Sequence, residues 1–208
     1  RNSSSAASDV YKRQIYYLLH YYLNMAKDRA AAQWNKWFLP SDLCNMIVDQ
    51  CESNLKLSDG TTGGGLNRAT RDSQVGWIPE KHWINGIIWH YVWTVNQESY
   101  NYDITGIHGS VQYTTYSPNE YYTWHCDDMN GFEDTGNRKL SVSIQLSDAS
   151  EYEGGEFQMR DFDNKNFFAP KAKGSIIVFD SRLQHRVKPV TSGVRKSLVA
   201  WIGGPSWR

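Results

Sequence analysis

His125 and Asp127 stand two positions apart in the run Tyr121-Tyr122-Thr123-Trp124-His125-Cys126-Asp127, and His185 and Arg195 follow far downstream. Two imidazoles and one carboxylate form a ligand set that leaves half of an octahedral iron open to a co-substrate and O2. The run is β-rich and aromatic, and side chains at i and i+2 of a strand share a face. His125 and Asp127 are therefore predicted to reach one metal from a single strand. His185 comes after the apolar run Ser175-Ile176-Ile177-Val178-Phe179-Asp180, which reads as a buried strand, so a second strand can bring the third ligand across a barrel. Arg195 opens the run Arg195-Lys196-Ser197-Leu198-Val199-Ala200-Trp201, where a guanidinium can clamp a carboxylate through two parallel hydrogen bonds. If the four residues converge, the chemistry is that of an oxygenase.

The elements that must position them change character along the chain. Ser41 is a plausible N-cap for a helix over 42–52, with Leu43, Met46, Ile47 and Gln50 at helical spacing. Trp83, Ile87, Tyr91, Val92 and Val95 recur at three to four residues and predict a second helix within 80–96. Between them, Gly60-Thr61-Thr62-Gly63-Gly64-Gly65 lacks the Lys-Ser/Thr ending of a phosphate-cradling loop and reads as a mobile surface loop. From Ile107 onward, short β-rich runs at 107–116, 121–126, 139–146, 156–160, 175–179, 185–190 and 195–202 alternate with turn residues. Helices first and strands later predict an α+β fold: a double-stranded β-helix (jelly-roll) core over about 107–203, with N-terminal helices packed on one sheet. Residues 1–24 read as a disordered or non-native leader, with Met25 as the natural start and a single domain over 25–208.

Composition narrows the partners. The 208 residues suit one domain with a substantial core. Twenty-two basic residues balance twenty-two acidic ones without a long like-charge run, so no nucleic acid and no membrane surface is expected as partner. Cys44, Cys51 and Cys126 are odd in number and lack a metal-finger spacing, which fits reduced thiols in a cytoplasmic compartment. Cys44 and Cys51 are expected in a helix core, and Cys126 as a spacer facing away from the ligands. Aromatics reach 14% of the chain, as expected of a barrel that buries large rings in its core and at its rims.

At these residues the chain resembles the Fe(II)- and 2-oxoglutarate-dependent dioxygenases, in the prolyl 4-hydroxylase-like branch that includes the PKHD-type hydroxylases of bacteria and phages. The pieces that carry the likeness are Tyr116-Ser117-Pro118-Asn119, Tyr122-Thr123-Trp124-His125-Cys126-Asp127, Ile144-Gln145-Leu146-Ser147-Asp148, Glu153-Gly154-Gly155-Glu156-Phe157, and His185 with Arg195. Each is weak alone; all of them in order, at the family's spacing, are hard to produce by chance. The resemblance implies His125, Asp127 and His185 as iron ligands, and Arg195 as the residue that binds the C5 carboxylate of 2-oxoglutarate, helped by Tyr116 and Ser197. Tyr122 and Arg138 match positions near the substrate in prolyl hydroxylases, and Gln145 stands where some relatives carry a co-substrate-binding Tyr. Implied cofactors are Fe(II), 2-oxoglutarate and O2, with ascorbate as an optional further one. The implied reaction hydroxylates an unactivated C–H bond and releases succinate and CO2. A protein or peptide residue such as proline is the leading substrate, ahead of a small molecule, and a bacterial or phage origin is implied.

Two competing readings stay in view. A nucleic-acid demethylase of the same superfamily would place a second Arg six residues after the first, where this chain has Trp201. A non-catalytic jelly-roll binding module of virion or carbohydrate-binding type would keep the barrel without the ligand set. Asp128 would face away from the ligands as a solvated or turn residue, and His20, His82, His90 and His108 lack a partner at ligand spacing.

Overall fold

The computed structural model describes residues 32–33, 38–62, 65–128 and 137–207. The leader, Met25, the run 34–37 and residues 129–136 lie outside the described residues.

Alternation along four strands builds the fold. An eight-stranded antiparallel sheet runs in the order β1 (Ala32–Gln33), β12 (Ile176–Asp180), β8 (Asn137–Gln145), β15 (Arg195–Gly204), β6 (Val111–Tyr116), β4 (Gln74–Ile78) and β2 (Ser58–Asp59), with β5 (Gly106–Ile107) paired to β15. On β8, Leu140, Val142 and Ile144 join one apolar cluster; on β15, Leu198, Ala200 and Ile202 do; on β6, Val111 and Tyr113 do; and on β12, Ile176 and Val178 do. The intervening positions, among them Ser141 and Ser143, Arg195 and Ser197, and Gln112 and Tyr116, fall on the opposite face, as the two-residue period of a strand requires. One face of this sheet is therefore oily and the other, though buried, is largely polar.

The oily cluster also contains side chains of α1 (Ser41–Asn54) and α2 (Trp83–Val95). In α1 the buried stripe is Cys44, Ile47 and Cys51, while Met46 is 48% exposed. In α2 it is Ile84, Ile88, Val92 and Val95, with Trp83 40% exposed. Both predicted faces are thus rotated by about one residue: compact thiols and β-branched side chains take the sheet contact, and the bulkier Met46 and Trp83 turn toward solvent. Ser41 is the first helical residue and makes no capping hydrogen bond, whereas His82 caps α2 by accepting from the Ile84 amide at 3.4 Å.

A second, five-stranded sheet runs β11 (Asn166–Phe168), β10 (Phe157–Arg160), β13 (Gln184–Val187), β7 (Tyr121–His125) and β3 (Arg71–Asp72), and β14 (Val190–Gly193) pairs with β9 (Tyr152–Gly154). Phe157, Met159 and Val187 of this sheet cluster with Ile177 and Phe179 of β12 and with Tyr116 of β6. The described chain is mostly β with few helices. Strands β1 to β4, β9 and β11, and β14 beyond Val190, were not among the predicted runs, because pieces of two to five residues are too short to show periodicity. Among the described residues no helix is long and apolar enough to cross a membrane. Leu140, fully buried at the centre of the oily face, tests this core: Leu140→Ala is expected to cost about 2–5 kcal/mol, measured as a lower urea midpoint with an unchanged denaturant slope.

Candidate active site

The geometry begins with strand register. β13 pairs antiparallel with β7 so that His185 lies directly opposite His125, and their rings are 4.1 Å apart between centroids. β7 ends at His125, and Asp127 follows in a bend. Asp127 is therefore not on the same strand as His125, contrary to the i, i+2 expectation. Its place is set by the Asp180–Leu183 turn, whose Ser181 carbonyl accepts from the amides of Asp127 at 2.9 Å and Asp128 at 3.0 Å. That turn is itself tied down: Asp180 accepts from the Tyr102 hydroxyl at 2.6 Å and from the Arg182 guanidinium. The Asp127 carboxylate then lies 3.5 Å from His185 Nε2 and 3.9 Å from His125 Nε2, and one ligand atom from each residue falls within 4.8 Å of the others.

Each imidazole is held in one tautomer. His125 Nδ1 lies 2.8 Å from the Thr123 carbonyl and His185 Nδ1 2.9 Å from the Leu183 carbonyl. A carbonyl oxygen can only accept, so both Nδ1 atoms carry the proton and both Nε2 atoms present a lone pair to the shared space. Burial, reinforced by the neighbouring His185, holds His125 far below the usual imidazole range, which keeps the ring neutral. For Asp127 burial pushes upward, but the His185 and His125 imidazoles and the Ser141 hydroxyl outweigh it and hold the carboxyl below its usual range. Ser141 Oγ donates to Asp127 Oδ2 at 2.7 Å and sits 2.8 Å from Ser181 Oγ. A buried carboxylate facing the Nε2 atoms of two imidazoles is a donor set that a divalent cation completes, and its N2O composition fits Fe(II).

The triad opens on a cavity of about 560 Å³. His125, Asp127, His185, Arg195, Tyr116, Ser197, Tyr122 and Arg138 all line it. Arg195 is 3% exposed, registers opposite Tyr116 and donates to Ser197 Oγ at 3.2 Å. Tyr122 stacks on His125 at 3.6 Å between centroids with rings 16° from parallel. Burial raises its phenol to about 12, so it stays protonated. Arg138 lies over the Trp201 ring at 4.3 Å and donates to the Asp127 carbonyl at 3.4 Å. Gln145 does not line the cavity; its amide donates to the Tyr152 hydroxyl at 3.1 Å, a phenol that feels the Arg195 charge.

Two expectations are corrected. Asp128 is half-buried rather than solvated: it accepts from Asn137 at 3.1 Å and from the Trp207 indole at 2.8 Å, and Lys139 and Arg182 both lie over that indole. Cys126 belongs to the cavity wall, and burial with the nearby Asp127 and Asp128 carboxylates raises its thiol, which remains protonated. Sequence reasoning also missed Arg71, Trp77 and Gln112 in the wall and Ser141 behind Asp127; each sits on a strand whose pairing partner is remote in the chain, so spacing carries no signal of it.

The comparisons with known proteins agree with this geometry. Residues 111–203 match the family model described as the 2OG-Fe(II) oxygenase superfamily. A PKHD-type hydroxylase of Synechococcus sp. strain CC9902 is 42% identical over 81 residues, covering 39% of this chain and 35% of that protein. A PKHD-type hydroxylase of Idiomarina loihiensis is 34% identical over 94 residues, covering 44% and 41%. The chain thus spans well under half the length of these curated relatives. Among solved structures, the fold is similar to a Pseudomonas putida prolyl-4-hydroxylase, with a TM-score of 0.67, 20% identity and coverage of 84% and 92%. It is likewise similar to a Trichoplax adhaerens prolyl hydroxylase in complex with a hypoxia inducible factor peptide fragment, with a TM-score of 0.69, 20% identity and 84% coverage of each chain. Over residues 111–203 the chain is thus similar to the 2OG-Fe(II) oxygenase superfamily. The relatives it resembles over this stretch are PKHD-type hydroxylases.

The hydroxyl behind Asp127 gives a direct test of the donor set. Ser141→Ala is expected to weaken divalent-metal affinity by about 10–100-fold while leaving the fold intact, as read by Co(II) titration in the visible range.

Proposed function

We propose that this protein is an Fe(II)- and 2-oxoglutarate-dependent dioxygenase that hydroxylates an unactivated C–H bond of a protein or peptide residue, proline being the first candidate. The observation that carries the reading is the convergence of His125 Nε2, Asp127 and His185 Nε2 in a cavity that also contains the buried Arg195. The names of the relatives, PKHD-type hydroxylases and prolyl hydroxylases, one of them bound to a peptide, support the reaction and the substrate class.

In this reading His125, Asp127 and His185 hold Fe(II) through the two Nε2 lone pairs and one carboxylate oxygen. Bound there with 2-oxoglutarate and O2, the iron supplies the oxidising power for C–H hydroxylation, with succinate and CO2 as co-products. Arg195 sits where it can take the distal C5 carboxylate, with its guanidinium already oriented by Ser197. A charge so preorganised loses little further entropy when it forms a bidentate pair. Tyr116 flanks that end of the cavity, and the Gln145–Tyr152 hydrogen bond supplies a phenol from β9 next to Arg195 in place of one from β8. Tyr122 packs one face of His125 and limits the directions that ring can take, while Arg138 over Trp201 lines the same cavity as a substrate-contact candidate. Neutral net charge and the indole at Trp201 speak against a nucleic-acid substrate.

The test is anaerobic addition of Fe(II) and then 2-oxoglutarate, which should produce the weak visible charge-transfer band of a chelated keto acid. His185→Ala is expected to abolish both iron binding and the band. Arg195→Ala should retain iron affinity and raise the 2-oxoglutarate concentration for half-development by roughly 10–100-fold. Wild-type iron affinity in His185→Ala would refute the triad, and a metal-replete wild type without the band would return the protein to the jelly-roll binding modules.

A further inference from the structure

Arg195 is not the only buried guanidinium in the cavity wall. Arg71 on β3 is 6% exposed, lines the same cavity, and lies over the Tyr122 ring at 4.8 Å, one ring removed from His125. Its fixed neighbours are uncharged: Nε donates to Ser73 Oγ at 2.9 Å and Nη1 to the Thr61 carbonyl at 3.2 Å. Among the described residues no carboxylate forms an ion pair with it. Asp72 beside it on β3 and Asp59 on β2 are engaged elsewhere, since Arg68 takes one with each prong, both at 2.6 Å.

The Gly-rich loop that opened no helix explains how the guanidinium is held. The Gly60 amide donates to the Ser73 carbonyl at 2.8 Å, which lays the loop across Arg71. A Cβ at Gly60 would fall 2.7 Å from Arg71 Nε and against Ser73 Oγ, so only glycine permits this approach. Thr61 and Thr62 then continue into the cavity wall. A guanidinium buried with no counter-ion among the described residues is costly, and a loop and a strand hold it in place. The missing charge is most simply supplied by a ligand, and geminal oxygens of a carboxylate match the fork of an arginine.

We infer that Arg71 is a substrate subsite for a carboxylate, so that the residue to be hydroxylated lies next to an anionic group on the same molecule. This rests on the hydroxylase reading and narrows it: Arg195 serves the co-substrate and Arg71 the primary substrate, on separate strands of the two sheets. The carboxylate can be the C-terminus of a peptide or free amino acid, or an acidic side chain beside the target residue.

The experiment uses the full chain loaded with Zn(II), which does not turn over, and saturated with 2-oxoglutarate, so that Arg195 is already engaged. Calorimetric titration compares three probes: N-acetylproline, the dipeptide N-acetyl-Pro-Asp-amide, and the neutral N-acetyl-Pro-Ala-amide. The expected result is that one or both carboxylate probes bind roughly 10–100-fold more tightly than the neutral one. N-acetylproline leading identifies a terminal carboxylate, and the Asp dipeptide leading identifies an acidic neighbour. Arg71→Gln should erase the preference without changing 2-oxoglutarate affinity, and Arg71→Lys, which keeps the charge and loses the fork, should restore part of it. Equal binding of charged and neutral probes, no binding of either carboxylate probe to protein that does bind 2-oxoglutarate, or a preference that survives in Arg71→Gln overturns the inference. A carboxylate preference that depends on Arg71 in a protein that fails to bind 2-oxoglutarate would sink the hydroxylase reading and leave the subsite standing.

Discussion

One antiparallel ladder carries the whole site. Because β13 registers on β7 with His185 opposite His125, the two imidazoles meet without any help from loop conformation. Side chains alternate along a strand, so a slip of one residue would send one ring to the far face of the sheet and leave a single imidazole beside Asp127. Every other feature follows from that register. The Asp180–Leu183 turn must lie close enough for its Ser181 carbonyl to take two successive amides, and Asp127 is thereby aimed back at the rings. The anchoring of Asp180 by Tyr102 and Arg182 serves the same geometry from one step further out.

The second constraint is the two-faced character of the eight-stranded sheet. Its oily face is committed to a cluster shared with α1 and α2, and that burial stabilises the platform. The other face is then free to carry Ser141, Ser143, Arg195 and Ser197, polar groups that would be costly in a core but find partners around the cavity. Arg195 and Ser197 can be two residues apart and cooperate because both stand on this face of one strand, with Lys196 between them; Val199 continues the cavity face while Leu198 turns to the core.

The converging His125, Asp127 and His185 were legible in the sequence because their combination is rare and their local contexts are strongly patterned. His125 and Asp127 are close in the chain, and His185 follows an unmistakably buried strand. Element positions were legible where apolar runs were long, as at 175–179 and 195–202, which correspond to β12 and β15. The helix faces came out turned by a residue, since periodicity reports a stripe and the sheet decides which edge of it is buried. What could not be read is whatever depends on pairing between distant segments. Ser141 reaches Asp127 across fourteen residues of chain. Arg71 reaches Tyr122 only because β3 adds to the edge of β7. The Gly-rich loop looked like a mobile excursion, whereas Gly60 is the contact point of a close-packed crossing.

The two Nδ1 hydrogen bonds end on main-chain carbonyls, those of Thr123 and Leu183, each two residues before its histidine. In many metal sites the groups that orient the ligands are side chains, which a single codon change can remove. Here the acceptors are main-chain atoms, so the tautomers depend on the backbone path at Thr123 and Leu183; the side chains serve other ends, Leu183 in the second apolar cluster and Thr123 on the Thr70 carbonyl. The inner support of the site is thus written in conformation rather than in residue identity, which makes it invisible to any search for shared residues around the triad.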